Sequence, residues 1–445
     1  MSEKLSDELL QPVRGARDFS GDEKMRRDDV VATLKGAFEL FGFEPLETPA
    51  MERLEVLTSK FAGGEEILRE VFKATDQGGR ELGLRYDLTV PLCRFMAANP
   101  RMPMPFKRYA IAHVWRDGPL KAGRYREFYQ CDADIVGAGG MIADAELLSL
   151  AAKVFRQLFP GNFVIKFGNR KILDGILQYA GIGQEKWLST ILIIDKLSKI
   201  GLGGVEKELQ NSGMDKKQVE KIVSLISLKG RSSDILEKLG KTLGSEIAKQ
   251  GIAETKELLS FSESMGFAKY AEFDPSLARG LNYYTSSIFE VYLLKGKISS
   301  SLAAGGRYDE LIGKFSGARE KIPAVGISFG LDVICEALKE LQPEKKKSPN
   351  GFFIIPLTNE KDSRPMEYSL ELASALREKG FPSAIDLLSR NLGKNLEFTS
   401  KKGFRFAIII GDKELAAGKV RLRDLVSGEE KSISASELGK AAQKK

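Results

Sequence analysis

The sequence holds one histidine, His113, in 445 residues. That scarcity excludes histidine dyads and metal centres built on several imidazoles. Cysteine is scarce too. Cys93, Cys131 and Cys335 stand far apart and are odd in number, with neither a disulfide framework nor zinc-ligand spacing. No apolar run approaches the roughly 20 residues that span a bilayer. The opening "MSEKLSDELLQPVRG" carries acids and no apolar core, so no secretory signal is expected. These absences point to a reducing, cytoplasmic setting away from membranes. HExxH, CxxC, GxxxxGK(S/T) and GxSxG are also missing, which leaves zinc hydrolase and P-loop chemistry without support.

What is present is the composition of a soluble globular protein, 42% hydrophobic and 29% charged. The length suits two or three domains. A net charge of +7 and a pI near 9.0 suit a polyanionic partner, and equally a basic protein without one.

Residues 22–41 place Val30, Val31, Leu34, Ala37, Phe38 and Phe41 at helical spacing. Gly42, Pro45 and Pro49 then break the pattern. Strand-like runs follow in "ELGLRYDLT", "FKRYAIAHVWR" and "REFYQCDADIVG", then a helix in "DAELLSLAAKVFRQL" and a strand in "NFVIKFGN". This order predicts an α+β domain on a largely antiparallel sheet. Residues 183–265 are Lys-rich, Leu/Ile-periodic and nearly free of aromatics, which predicts a helical insertion with solvated charged faces. Strands resume at "GLNYYTSSIFEVYLL", "SSSLAAGG" and "AVGISFG". The first domain is therefore split into 1–182 and 266–342. "LQPEKKKSPNG" reads as a linker, with the break at 343–351. Strands and helices alternate over 352–445, the pattern of a compact α/β domain.

The densest constellation is "RDGPLKAGRYREFYQCDADIVG", residues 116–137. Arg116, Lys121, Arg124 and Arg126 flank a hairpin turn. Alternation on a strand puts Arg124, Arg126, Phe128, Gln130, Asp132 and Asp134 on one face. Arginine forks and an aromatic ring there suit a nucleoside triphosphate. A surface hairpin with cross-strand ion pairs would look the same. In "LRYDLTVPLCR", Asp87 and Thr89 share a strand face around Leu88 and suit a ligand amine, or simply a polar strand end. "LARGLNYYTSSIFE" offers Arg279, Tyr283 and Tyr284 to a phosphate and a polar ligand, or to an ion pair and a buried tyrosine. In "SLAAGGRYDELIGKF" the small residues 303–306 precede Arg307, Tyr308 and Asp309. They allow close backbone approach by a ligand, or form a turn into a helix. "PAVGISFGLDVICEAL" has the outline of a phosphate-holding strand, turn and helix, yet contains no basic residue. His113, on the strand before Arg116, reads as a packed side chain.

Several segments together resemble the histidyl-tRNA synthetase family. "PVRGARDF", "FGFEPLETPAME", "LRYDLTVPL", "GRYREFYQCDADIVG", "LARGLNYYT" and "AAGGRYDELIG" stand here in that family's order. "SRNLGKNLEFTSKKGFRFAIIIGDKELAAGKVRLRDL" resembles its anticodon-binding domain. The likeness runs over residues 10 to 435 and is weakest in 183–265.

The resemblance implies a class II aminoacyl-tRNA synthetase fold: an antiparallel-sheet catalytic domain with a helical insertion, and a C-terminal α/β anticodon-binding domain. It implies ATP-dependent activation of L-histidine to histidyl-adenylate and transfer to tRNA-His, with Mg²⁺ on the pyrophosphate and a homodimer formed through the first class II motif. By resemblance Arg116 and Arg279 face the α-phosphate, Arg124 the distal phosphates, and Phe128 the adenine. Asp87, Leu88, Thr89 and Gln130 match the α-amino site. Asp134, Tyr283, Tyr284 and Tyr308 match the imidazole pocket.

The chain departs from the family pattern at three points. Asp117 and Gly118 follow Arg116 where Arg-x-Glu is usual, Asn282 stands where many relatives have Asp, and Val333 stands where the third motif usually has an ATP-binding arginine. The Val333 departure leaves a second reading open, a non-catalytic regulatory or tRNA-binding protein. It also raises Arg307 as a substitute cation.

Overall fold

A computed structural model describes residues 6–59, 69–120, 125–279, 283–317, 321–341, 351–358 and 362–443. The chain forms two compact units, Met1–Pro343 and Glu344–Lys445.

The first unit opens with helix α1 (Gly21–Leu40), whose Val30, Leu34, Ala37 and Phe38 recur at helical spacing and are buried. Gly42, at φ +73°, closes it in the left-handed conformation that glycine adopts at least cost. Strands β1 (Glu44–Pro45) and β2 (Met51–Arg53), helix α2 (Leu54–Leu57), strands β3 (Lys73–Thr75) and β4 (Glu81–Leu84), and helix α3 (Thr89–Ala98) follow. Next come the hairpin β5 (Phe106–Trp115) and β6 (Glu127–Val136), helix α4 (Met141–Leu158), strand β7 (Phe163–Asn169) and helix α5 (Arg170–Tyr179). Helices α6 (Trp187–Ile194), α7 (Leu197–Asn211), α8 (Lys216–Ile226), α9 (Ser232–Thr242) and α10 (Glu246–Ser264) precede β8 (Ala271–Phe273). The unit ends with β9 (Ser287–Leu293), β10 (Ala303–Arg307), α11 (Leu311–Ser316), β11 (Ala324–Gly330) and α12 (Leu331–Leu341).

The main sheet has eight strands in the order β1-β5-β6-β11-β10-β9-β7-β8. Only β1–β5 and β7–β8 pair in parallel; the other neighbours are antiparallel. The α+β, antiparallel-rich expectation holds. Strands β2, β4 and β3 make a small separate sheet.

Side-chain alternation gives the sheet two characters. Tyr109, Cys131, Ala133, Ile135, Val325, Ile327, Phe329, Phe289 and Val291 face the main core, beneath α1, α4 and α12. Each large apolar side chain so buried contributes about 1.5–3 kcal/mol. On the opposite face Ala110, Asp132, Ser328 and Ala304 lie side by side across β5, β6, β11 and β10. One step along, Arg108, Asp134, Gly326 and Gly306 do the same. Small residues make this face a floor, and a few polar side chains stand on it.

Helices α6–α10 carry their charges outward and bury Val205, Leu209, Ile222, Ile226, Ile235 and Leu239. Glu254 of α10 accepts hydrogen bonds from Asn169 at 3.0 Å and Ser286 at 2.7 Å, which ties this helix to the strands.

The second unit runs β12 (Phe352–Pro356), α13 (Arg364–Glu378), β13 (Ser383–Ile385), α14 (Leu392–Lys401), β14 (Phe406–Ile410), α15 (Asp412–Ala416), β15 (Val420–Asp424), β16 (Glu430–Ile433) and α16 (Leu438–Gln443). Its sheet order is β13-β12-β14-β15-β16, parallel around β12 and antiparallel beyond β14. Phe352, Ile354, Ile408 and Ile410 pack on one face. Phe353, Ile355, Ala407 and Ile409 pack on the other. The covered sheet explains the unbroken apolar runs. Among the described residues no helix is long and apolar enough to cross a membrane.

Candidate active site

The floor of the main sheet gathers most of the residues singled out in the sequence. Phe128, Gln130, Asp132 and Asp134 stand on one face of β6, as alternation requires. Arg116 follows β5 directly. Its Nε donates to the Tyr86 carbonyl at 3.0 Å, and its guanidinium lies 5.2 Å from the centre of the Phe128 ring. Arg126 does not continue the strand face. It precedes β6 and pairs with Asp117 at 3.2 Å. Arg124 lies outside the described residues.

The strand expected through "LRYDLT" is not there. β4 ends at Leu84, and Thr89 starts α3. The reason is local. Asp87 Oδ1 accepts the Val90 backbone N–H at 3.0 Å, satisfying a donor of the first helical turn, and Pro91 sits early in the helix where its missing N–H costs nothing. Asp87 is buried nonetheless. Burial pushes its pKa up to about 6, against the pull of the Val90 N–H and the neighbouring Arg116. The Leu88 carbonyl accepts from Arg108 Nη2 at 3.1 Å, so Leu88 enters the site through its backbone.

Arg108 is the largest residue that sequence reasoning overlooked. It is fully buried and lies 2.8 Å from Asp134 Oδ2. Burial alone would lower its pKa, but Asp134 and then Asp132 outweigh that and hold it raised. Tyr308 donates its hydroxyl to Asp134 Oδ1. Tyr308 stands edge-on to Tyr283 at 6.1 Å, and Tyr283 lies 4.8 Å from Tyr284. Glycine makes room for this cluster. A Cβ at Gly326 would sit 2.0 Å from Asp134 Oδ1, and one at Gly306 would sit 2.8 Å from the Tyr284 ring.

Arg279 donates from Nη1 to Glu290 Oε1 at 3.0 Å, and its guanidinium lies 5.9 Å from the Tyr284 ring centre. Glu290 was also overlooked, although its position on β9 opposite Ala304 puts it on the floor's face. Gly280, Leu281 and Asn282 lie outside the described residues. A line of contacts thus runs from Phe128 and Arg116, past Asp87, Arg108 and Asp134, to the three tyrosines and Arg279.

Among the described residues four polar atoms on this face are buried without a hydrogen-bond partner: Arg108 Nε, Gln130 Oε1, Asp132 Oδ1 and Asp134 Oδ2, the last in ion-pair contact with Arg108. Buried polar groups left unmade are costly. Their concentration on one patch marks a place built for a polar ligand.

One candidate, Arg307, falls away, and His113 is packed as its sequence context suggests. Arg307 cannot stand in for a phosphate-binding arginine. It is 1% exposed, and its five N–H groups are taken by Asp144, Asp309 and the carbonyls of Ala138 and Gly140. His113 faces away from the floor. Its ring lies 3.9 Å from that of Tyr129 beside a hollow of about 630 Å³ under α1. Burial holds its pKa below the usual histidine value. The segment 323–338 is β11 running into α12, as its pattern suggests. Asp332 turns to the core side, where it meets Arg27 Nη1 at 2.6 Å.

An antiparallel-rich sheet with a long hairpin bearing Arg116 and a final strand-helix pair under the same face is the catalytic domain of a class II aminoacyl-tRNA synthetase. The family model for histidyl-tRNA synthetase matches residues 15–334, and that for the anticodon binding domain matches residues 352–445. A curated histidine–tRNA ligase of Shouchella clausii is 39% identical over 95% of this chain and 98% of its own length. One from Aeropyrum pernix is 39% identical over 98% of both chains. The crystal structure of the histidyl-tRNA synthetase from Nostoc sp. PCC 7120 superposes with a TM-score of 0.84 at 33% identity, covering 98% of this chain and all of that one. The chain belongs to the histidyl-tRNA synthetase family.

Proposed function

We propose that the protein is an ATP-dependent histidine–tRNA ligase whose two reactions take place on the polar floor of the main sheet. In the first, a carboxylate oxygen of L-histidine attacks the α-phosphorus of ATP. The bond to the β-phosphoryl oxygen breaks, giving histidyl-adenylate and pyrophosphate. In the second, a hydroxyl of the terminal ribose of tRNA-His attacks the histidyl carbonyl and AMP leaves.

Such a reaction needs positioning and charge stabilisation more than a general base. Arg116 and Arg279 are the cations assigned to the α-phosphate. Phe128, held under the Arg116 guanidinium, offers its other face to adenine, and Arg124 is assigned to the distal phosphates. Asp87, Thr89 and Gln130, with the backbone at Leu88, are assigned to the α-amino group. Asp134, Tyr283, Tyr284 and Tyr308 are assigned to the imidazole. A carboxylate and phenol hydroxyls complement both ring nitrogens, and a side chain lacking them would leave the pocket unpaired. Mg²⁺ would arrive with ATP on its phosphates, as this ion usually does. Among the described residues no cluster of three or more His, Cys, Asp or Glu could hold a metal by itself.

The observation that carries this reading is the patch of unpartnered buried polar atoms on Arg108, Gln130 and Asp132, set between Arg116 and the tyrosine cluster. A homodimer in the cytoplasm is the working form we assign. Leu40, at the end of α1, is 68% exposed and suits burial against a second copy. The non-catalytic reading rested on Val333, and near full-length similarity to histidine–tRNA ligases does not favour it. The deciding measurement is histidine-dependent ATP–pyrophosphate exchange. Exchange with histidine and not with other amino acids is expected. No exchange by protein that still binds tRNA would overturn the assignment.

A further inference from the structure

Asp132 has no role in the scheme above, yet the fold gives it a central place. It sits on β6 between Gln130 and Asp134, on the same face, and same-face neighbours on a strand are about 6.6 Å apart, roughly twice 3.3 Å. Its strand neighbours are Ala110 on β5 and Ser328 on β11, both small, so neither crowds the carboxylate from the side. Asp132 is 4% exposed. Ser328 stands opposite it on β11 and accepts from Gln130, while Asp132 Oδ1 is buried with no hydrogen-bond partner. A simple structural role does not account for that oxygen. Arg108, the nearest cation among the described residues, lies against Asp134 and makes its second contact with the Leu88 carbonyl.

Charge points the same way. Asp87, Asp132 and Asp134 are all buried; Arg116 lies beside Asp87, and Arg108 is the fully buried cation beside Asp134. A buried carboxylate oxygen that no protein donor meets is complementary to a cationic donor on a ligand. Position selects which one. With the imidazole held at Asp134 and Tyr308 and the reacting carboxylate directed at Arg116, the Cα of the substrate, two bonds from its ring, falls over the middle of β6. We propose that Asp132 Oδ1 accepts a hydrogen bond from the α-ammonium group of the bound amino acid, alongside Asp87 and Gln130. This inference rests on the histidine-activating reading. It makes Asp132 a substrate-binding residue that senses the amino group rather than the side chain.

The test pairs Asp132→Asn, which keeps shape and removes charge, with histidine and with 3-(imidazol-4-yl)propionate, which is histidine without its amino group. In pyrophosphate exchange the variant is expected to raise the KM for histidine at least tenfold, with the KM for ATP within twofold. Inhibition by the propionate should change by less than twofold. Asp132→Ser gives the same comparison if the asparagine variant melts early. An unchanged histidine KM in either folded variant overturns the role of Asp132. Equal weakening of histidine and of the propionate overturns it too, because the carboxylate would then serve the ring. Wild-type protein that exchanges with histidine while the variants behave normally refutes this inference alone; wild-type protein without exchange refutes the functional reading as well.

Discussion

Arg279 is held by Glu290, with Nη1 donating to Oε1 at 3.0 Å. Glu290 also accepts the Tyr292 hydroxyl, so the guanidinium is braced from below by a carboxylate that is itself fixed. Bracing of this kind pre-orients a cation for charge that develops during reaction. Arg279→Ala should therefore lower histidine-dependent exchange by about 10²–10³-fold, the loss typical of one such donor. Its melting temperature should fall less than that of a variant in a fully buried pair, because Arg279 and Glu290 keep 23% and 16% of their side-chain surface exposed and Glu290 still accepts the Tyr292 hydroxyl. Near-normal exchange would refute the catalytic assignment.

Asp132 and Asp134 crowd around a single guanidinium, and the pH dependence of stability should reveal it. Burial, together with the charge of Asp134, pushes the Asp132 pKa up to about 7 despite Arg108. A carboxyl whose folded pKa exceeds its unfolded value favours folding below the unfolded pKa. That contribution is lost as pH rises through the folded value. Between about pH 4 and 7 the empty wild-type protein should lose stability from this group. Asp132→Asn has no such group. Its melting temperature relative to wild type should climb from pH 5 to pH 8, measured by thermal melts without ligand. A flat difference across that range would mean that Asp132 titrates normally.

How much of this could be read in the sequence depended on the range over which each feature is set. The long strands β5, β6 and β7 were legible because their period-two pattern is local, and α1 because its stripe is. The two-residue strand β1 and three-residue β8 carry no pattern long enough to read. Asp87 was misplaced on a strand because "RYDLT" alternates, whereas the competing signal was a side chain accepting from the next helix turn. Arg108 was invisible for another reason. It meets Asp134 only because β5 and β6 pair with Ala110 opposite Asp132, a register that neither strand states alone. The third motif's missing arginine was legible. The failure of Arg307 to replace it was not, because its partner Asp144 lies 163 residues away.

Arg307 and Asp144 form a buried pair with side chains 1% and 0% exposed. Removing one member of such a pair leaves a bare charge in the core and typically costs 3–5 kcal/mol. Arg307→Met should show a loss of about that size in urea unfolding, from the charge left on Asp144. The KM for ATP, measured where the variant is folded, should stay within about twofold of wild type, since no phosphate contact is assigned to Arg307. A rise in ATP KM without a loss of stability would return Arg307 to the nucleotide site.

The second unit has a core of its own on both faces of its sheet, and the first unit has a separate core built, among the described residues, from positions 30–341. Amino-acid activation is assigned to the first unit alone, whereas the matched anticodon binding domain occupies 352–445. A chain ending at residue 350 should then keep most of its histidine-dependent exchange, within about tenfold of the full chain. Charging of tRNA should fall much further, because removing the part that matches an anticodon binding domain takes away tRNA affinity that exchange does not use. Parallel measurement of exchange and of tRNA charging decides the point. Equal losses in the two assays would show that residues 351–445 support the fold of the first unit rather than the capture of tRNA.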